Sequence, residues 1–182
     1  MEQKDYKLEI VLELLRGEGH VRGISRVLYT NHMIISRKIK ELSRENVVDY
    51  KTEGKNKSYF LKKTSEARAY VFMAENYKLL RLLAKYSTLR NIIEKIQNRK
   101  KIKIAILFGS YTKYLAKQES DVDIYIEVAD KETKRELSLT DSRLSIKTGK
   151  LDKENLLIKE IIKNHIILKG MEEYYEKIGF FS

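Results

Sequence analysis

Two short runs hold the residues best suited to chemistry: Leu107-Phe108-Gly109-Ser110-Tyr111-Thr112-Lys113 and Ser120-Asp121-Val122-Asp123-Ile124-Tyr125-Ile126. The first puts a Gly-Ser turn at the end of an apolar stretch. The second puts two carboxylates at the start of another. Residues two apart on an extended strand project from the same face, so Asp121 and Asp123 would point the same way. Two carboxylates beside a turn with free backbone N–H groups suit a hard cation that bridges to a phosphate chain. That is the chemistry of phosphoryl or nucleotidyl transfer.

Other chemistries are excluded by composition. The chain has no Cys, hence no disulfide framework, thiolate metal site or Cys nucleophile. His20, His32 and His165 are too scattered in sequence to suggest a zinc site. No apolar run approaches the roughly 18 residues needed to cross a membrane, and Met-Glu-Gln-Lys-Asp does not resemble a signal peptide. A cytoplasmic protein with no membrane partner is expected.

Charge divides the 182 residues unevenly. Residues 1–103 carry 24 Lys and Arg against 12 Asp and Glu, whereas residues 104–182 carry 13 against 14. The net charge of +11 therefore belongs to the first part, which points to a polyanionic partner, most simply nucleic acid.

The elements that position these groups follow from periodicity. Residues 5–16 read as an amphipathic helix with Leu8, Val11, Leu12 and Leu15 on one stripe, stopped by Gly17-Glu18-Gly19. A second short helix spans about 21–29. Asn31 caps a third, to about residue 45, with Ile35, Ile39 and Leu42 inward. Val47–Thr52 and Ser58–Lys62 then read as strands about the loop Glu53-Gly54-Lys55-Asn56-Lys57. Three helices and a hairpin in this order predict a winged helix-turn-helix over residues 1–64.

The stretches His20–Arg26, Ser36–Leu42 and Gly54–Leu61 resemble archaeal and bacterial winged-helix regulators. Ser36, Arg37, Lys40 and Arg44 fall away from the apolar stripe of the third helix, where a helix in the major groove would present them to bases and phosphates. Lys55 and Lys57, at the tip of the wing, would meet an adjacent backbone. Residues 65–100 read as a helical connector. Its first helix, with Tyr70, Val71, Ala74, Tyr77, Leu80 and Ala84 as a stripe, offers a face for a homodimer.

From residue 101 onward the pattern is that of a small α+β sheet domain. Residues 101–108, 121–128, Leu144–Thr148 and Ile166–Leu168 read as strands, with helices at about 131–138 and 153–164. Gly109-Ser110, ten further residues and then Asp121-Val122-Asp123 is similar to the DNA polymerase beta nucleotidyltransferase superfamily, and within it to the minimal nucleotidyltransferase domains.

The resemblance implies that Asp121 and Asp123 hold Mg²⁺ ions and are the catalytic carboxylates. It also implies that Gly109, Ser110 and Lys113 hold the phosphates of an NTP, with ATP the expected one. The acceptor implied is a protein or other hydroxyl, as in antitoxins of this group that adenylylate a partner toxin. Two features depart from the family pattern. Leu144–Thr148, where a third carboxylate is usual, contains none, although Asp141 and Asp152 lie on either side; and Tyr114 stands where Gly is common. The alternative reading is a transcriptional regulator whose weakened nucleotidyltransferase domain senses nucleotide.

Overall fold

The computed structural model describes residues 4–54, 56–127 and 131–181. Lys55 lies outside the described residues. The chain forms two compact units, one reaching Tyr77 and including Phe181, the other running from Lys78 to Phe180.

The first unit begins with helices α1 (Tyr6–Leu14), α2 (Val21–Val27) and α3 (His32–Arg44), followed by the antiparallel hairpin β1 (Val48–Glu53) and β2 (Asn56–Leu61). This is the element order read from the sequence. Side-chain caps fix where the helices begin. The Asp5 carboxylate accepts from the N–H groups of Lys7 and Leu8 at 2.9 and 3.3 Å, and the Asn31 side chain accepts from Met33 N–H at 2.8 Å. Ile10, Val11, Ile35, Ile39 and Leu42 are at most 1% exposed. Burial of each such side chain contributes about 1.5–3 kcal/mol.

With Ile35, Ile39 and Leu42 committed to the core, the 3.6-residue period turns Met33, Arg37, Lys40 and Arg44 outward. An ion pair holds α3 to α1: Lys7 Nζ lies 2.5 Å from Glu45 and 3.5 Å from Glu41. The hydrogen bonds from Lys7 and then from Tyr70 hold the Glu45 carboxyl below the usual carboxylate range. A bridge between Gly19 and Tyr59 (N···O 3.0 and 2.8 Å) adds a third short segment to the hairpin.

The helix α4 (Ser65–Lys85) carries the chain into the second unit. Its expected stripe is only partly inward. Val71 and Ala74 are fully buried, but Leu80 is 65% exposed and Leu82 is buried instead. A 3₁₀ turn (Ser87–Leu89) and α5 (Arg90–Gln97) complete the helical connector read from the sequence.

The sheet of the second unit has the order β5-β4-β3-β6, formed by β3 (Ile104–Leu107), β4 (Val122–Glu127), β5 (Leu144–Thr148) and β6 (Ile166–Lys169). β3 runs antiparallel to β4 and β6, whereas β4 and β5 are parallel and joined by a crossover that contains α6 (Lys131–Ser138). Alternation sends Ala105, Leu107, Val122, Ile124, Ile126 and Ile146 into one core with residues of α5 and the end of α4. The other face presents Ile106, Asp123 and Tyr125. Helix α7 (Leu156–Lys163) begins at Asn155, whose side chain accepts from Leu157 N–H at 2.9 Å. A last helix, α8 (Met171–Lys177), was not read from the sequence.

Candidate functional site

The ladder between β3 and β4 continues one residue past the strand end. Phe108 N–H donates to Asp123 O at 3.0 Å, which brings the following Gly109 over Asp123. Gly109 adopts φ +78, and a Cβ at this position would run into the Asp123 carboxylate. Only glycine fits a left-handed backbone this close to a side chain. The next residues wind into one turn: Thr112 Oγ1 donates to Gly109 O at 2.8 Å, and Leu115 N–H donates to Ser110 O at 3.1 Å. Tyr111 is 2% exposed and anchors the turn in the core. Tyr114 follows at φ 57, a left-handed conformation without glycine.

Asp121 lies one residue before β4 and is exposed; Asp123, inside the strand, is half-buried. Neither carboxylate is hydrogen-bonded or ion-paired to a described residue, and the same holds for Ser110 Oγ and the exposed Lys113. Two other acids of this unit are engaged. Glu127 pairs with Lys177, and Asp141 is held by Arg143 through Nε at 3.1 Å, NH2 at 2.8 Å and the backbone N–H at 2.9 Å. These bonds hold the Asp141 carboxyl below its ordinary range. The exposed Asp121 carboxylate and the half-buried Asp123 carboxylate beneath the Gly109 backbone are of a kind that suits a hard divalent cation, which takes one or two carboxylates and completes its shell with water and phosphate oxygens. Among the described residues no three His, Cys, Asp or Glu side chains form a metal cage, so the remaining ligands would be such oxygens.

The parallel register sets Ser145 beside Asp123 and Lys147 beside Tyr125. A serine hydroxyl is a poor proton acceptor near neutral pH. Asp152 is exposed and caps Glu154 N–H at 3.0 Å. Burial, and secondarily Glu127, pushes the Tyr125 phenol up, and its hydroxyl donates to Gly149 O at 2.8 Å. No described acid therefore replaces Ser145 on β5.

In the first unit, Arg37, Lys40 and Arg44 are exposed on one side of α3, with Ser36 half-buried at its edge. None of the three cations is ion-paired to a described residue, whereas Lys38, on the adjoining face, binds Glu41 at 2.8 Å. Lys57 lies over the Tyr50 ring at 3.7 Å, and its carbonyl is 2.8 Å from His20 Nδ1. Two large apolar residues that the sequence reading did not single out, Tyr29 and Met33, are 92% and 65% exposed, and Met33 lies on α3 one turn before Arg37. The four-residue step from Met33 to Arg37 was the available signal.

The turn, both carboxylates and all four strands of the second sheet fall within residues 90–174. This segment matches the Polymerase beta, Nucleotidyltransferase family. The match covers just under half of the chain. No curated protein matches the chain. Among solved structures, the chain is similar to the adhesin competence repressor from Streptococcus pyogenes, with 12% identity over 50% of this chain and 68% of that one (TM-score 0.41). It is also similar to a chain from a structure of a toxin-antitoxin with AMP-PNP, with 23% identity over 58% of this chain and 81% of that one (TM-score 0.36). Among the described residues, no helix is long and apolar enough to cross a membrane.

Proposed function

We propose that the second unit binds an NTP with Mg²⁺ and transfers its NMP to a hydroxyl acceptor on a protein or another molecule, while α3 and the hairpin of the first unit bind DNA. The carrying observation is the Gly109 backbone held against an unpaired Asp123 carboxylate. Gly109 and Ser110 would cradle the β- and γ-phosphates, and Lys113 would add positive charge. Asp121 and Asp123 would hold the metal, which when bound neutralises phosphate charge and polarises the α-phosphorus. The acceptor oxygen forms a bond to that phosphorus, the bond to the β-phosphate oxygen breaks, and pyrophosphate leaves. The acceptor proton passes to solvent, since Ser145 is no base at this position.

The DNA reading is supported by Arg37, Lys40 and Arg44, without an ion pair among the described residues, in a basic unit, with Ser36 and Lys57 at its margins; Lys55, read from the sequence as a further contact, lies outside the described residues. α4 remains the element proposed for a homodimer.

The test is incubation with Mg²⁺ and α-labelled NTPs, ATP first, with and without candidate acceptors. The wild type is expected to transfer label, and Asp121→Asn/Asp123→Asn is expected to transfer none. A second reading is favoured by Ser145 beside Asp123 and by Asp141 locked to Arg143: a transcriptional regulator that senses nucleotide without turnover. Nucleotide binding with no labelling of any acceptor would select it.

A further inference from the structure

Residues Ser110–Lys113 form a single turn closed by two hydrogen bonds, Leu115 N–H to Ser110 O and Tyr114 N–H to Tyr111 O, both 3.1 Å. In this paired closure the residue after the turn takes positive φ, and glycine usually occupies it. Here Tyr114 does, at φ 57. A side chain in that conformation is strained, and it persists where its surroundings leave no alternative.

Those surroundings come from one short stretch of the same unit, residues 81–86. Lys85 Nζ donates to Tyr114 O at 2.8 Å. The Tyr114 ring stacks on Tyr86, with centroids 6.4 Å apart and planes 20° from parallel. The Arg81 guanidinium and the Lys85 ammonium lie 5.6 and 5.5 Å from the Tyr114 centroid. Tyr86 also meets the buried Tyr111 ring edge-on at 4.9 Å, and its hydroxyl reaches Ala116 O at 3.5 Å. The end of α4 and the residue after it therefore grip the turn at Tyr111, Tyr114 and Ala116.

We infer that Lys85 and Tyr86 are positioning residues that clamp the Ser110–Tyr114 turn in the one closed form able to receive the phosphates of the nucleotide. Neither side chain touches the nucleotide. Lys85 acts by fixing the Tyr114 carbonyl, and with it the peptide plane that a relaxed turn would rotate. Tyr86 acts by holding the two tyrosine rings that bracket Thr112 and Lys113. Tyrosine at 114 serves this clamp because its ring supplies a surface for Tyr86 and for both cations, which glycine would not. The inference rests on the nucleotide-binding reading above, and it adds residues that lie outside the Gly-Ser and Asp-Val-Asp runs.

The test uses the full chain as wild type, Lys85→Met, Lys85→Arg and Tyr114→Gly. Two quantities are read: amide hydrogen exchange at Leu115 without nucleotide, and the Kd for Mg²⁺–ATP. Loss of one charge-assisted hydrogen bond predicts roughly tenfold faster exchange and roughly tenfold weaker binding in Lys85→Met. Lys85→Arg should restore both. Tyr114→Gly removes the strain, so it should keep or raise the melting temperature while still weakening ATP binding, an outcome a purely structural role would not produce. Unchanged exchange and unchanged Kd in Lys85→Met would overturn the clamp while leaving nucleotide binding in place. Lys85-dependent exchange in a protein that binds no nucleotide would overturn the nucleotide reading and leave the clamp standing.

Discussion

The candidate site of each unit holds charges with no ion-pair partner among the described residues: three cations in the first and two carboxylates in the second. In the first, Arg37, Lys40 and Arg44 point outward from α3 without an ion-pair partner among the described residues, while Lys7 and Lys38 nearby are paired to Glu45 and Glu41. In the second, Asp121 and Asp123 stand unpaired, while Asp141 and Glu127 are tied to Arg143 and Lys177. The paired charges tie neighbouring segments together, whereas Arg37, Lys40, Arg44, Asp121 and Asp123 are tied to no described residue. A cation face suits a polyanion; two carboxylates two residues apart, one of them against a glycine backbone, suit a metal that brings a phosphate chain.

The largest effect should come from closing the space above the acid pair. Gly109→Val places a branched side chain at φ +78 against Asp123. It should remove nucleotide binding in calorimetric titration and cost about 2 kcal/mol in a denaturant melt. Ser145→Asp tests the opposite change by adding a carboxylate where the register meets Asp123. If proton removal limits transfer, Mg²⁺-dependent labelling should rise roughly 10²-fold; an unchanged rate would favour the sensor reading.

In the first unit the comparison can be broken by removing unpaired and paired cations in turn. Arg37→Ala/Lys40→Ala should weaken DNA retention and lower the slope of log K against log salt by about 2. Lys38→Ala, which removes a partner of Glu41, should leave that slope unchanged.

The smallest effect concerns a paired acid. Because Arg143 lowers the Asp141 pKa in the folded state, the pair stabilises the protein above the ordinary value of 3.8, and the contribution fades as pH falls through the lowered one. Arg143→Met should therefore cost about 0.5–1 kcal/mol near neutral pH and nearly nothing at the acid end of a urea series.

How much of this was legible in sequence depends on how local each feature is. The Asn31 cap, the inward Ile35, Ile39 and Leu42, and β5 at Leu144–Thr148 were readable because neighbouring residues decide them. The Gly-Ser and Asp-Val-Asp runs were readable as a pair, but the approach of Gly109 to Asp123 depends on the β3–β4 register. Leu80 was read on one stripe with Val71 and Ala74 yet is 65% exposed while they are buried, because α4 has apolar residues on several sides and period alone does not choose among them. Helix α8 escaped because Tyr174 and Tyr175, its buried residues, are adjacent and show no helical repeat. The Lys85–Tyr114 contact spans 29 residues and exists only once the chain has folded.

The most direct test of the central claim is titration of Mg²⁺–ATP into the wild type and into Asp121→Asn/Asp123→Asn, each repeated with EDTA. Metal-dependent binding is expected of the wild type, and the double variant should lose it while keeping its melting temperature. Equal binding by both proteins, or wild-type binding indifferent to EDTA, would contradict the claim.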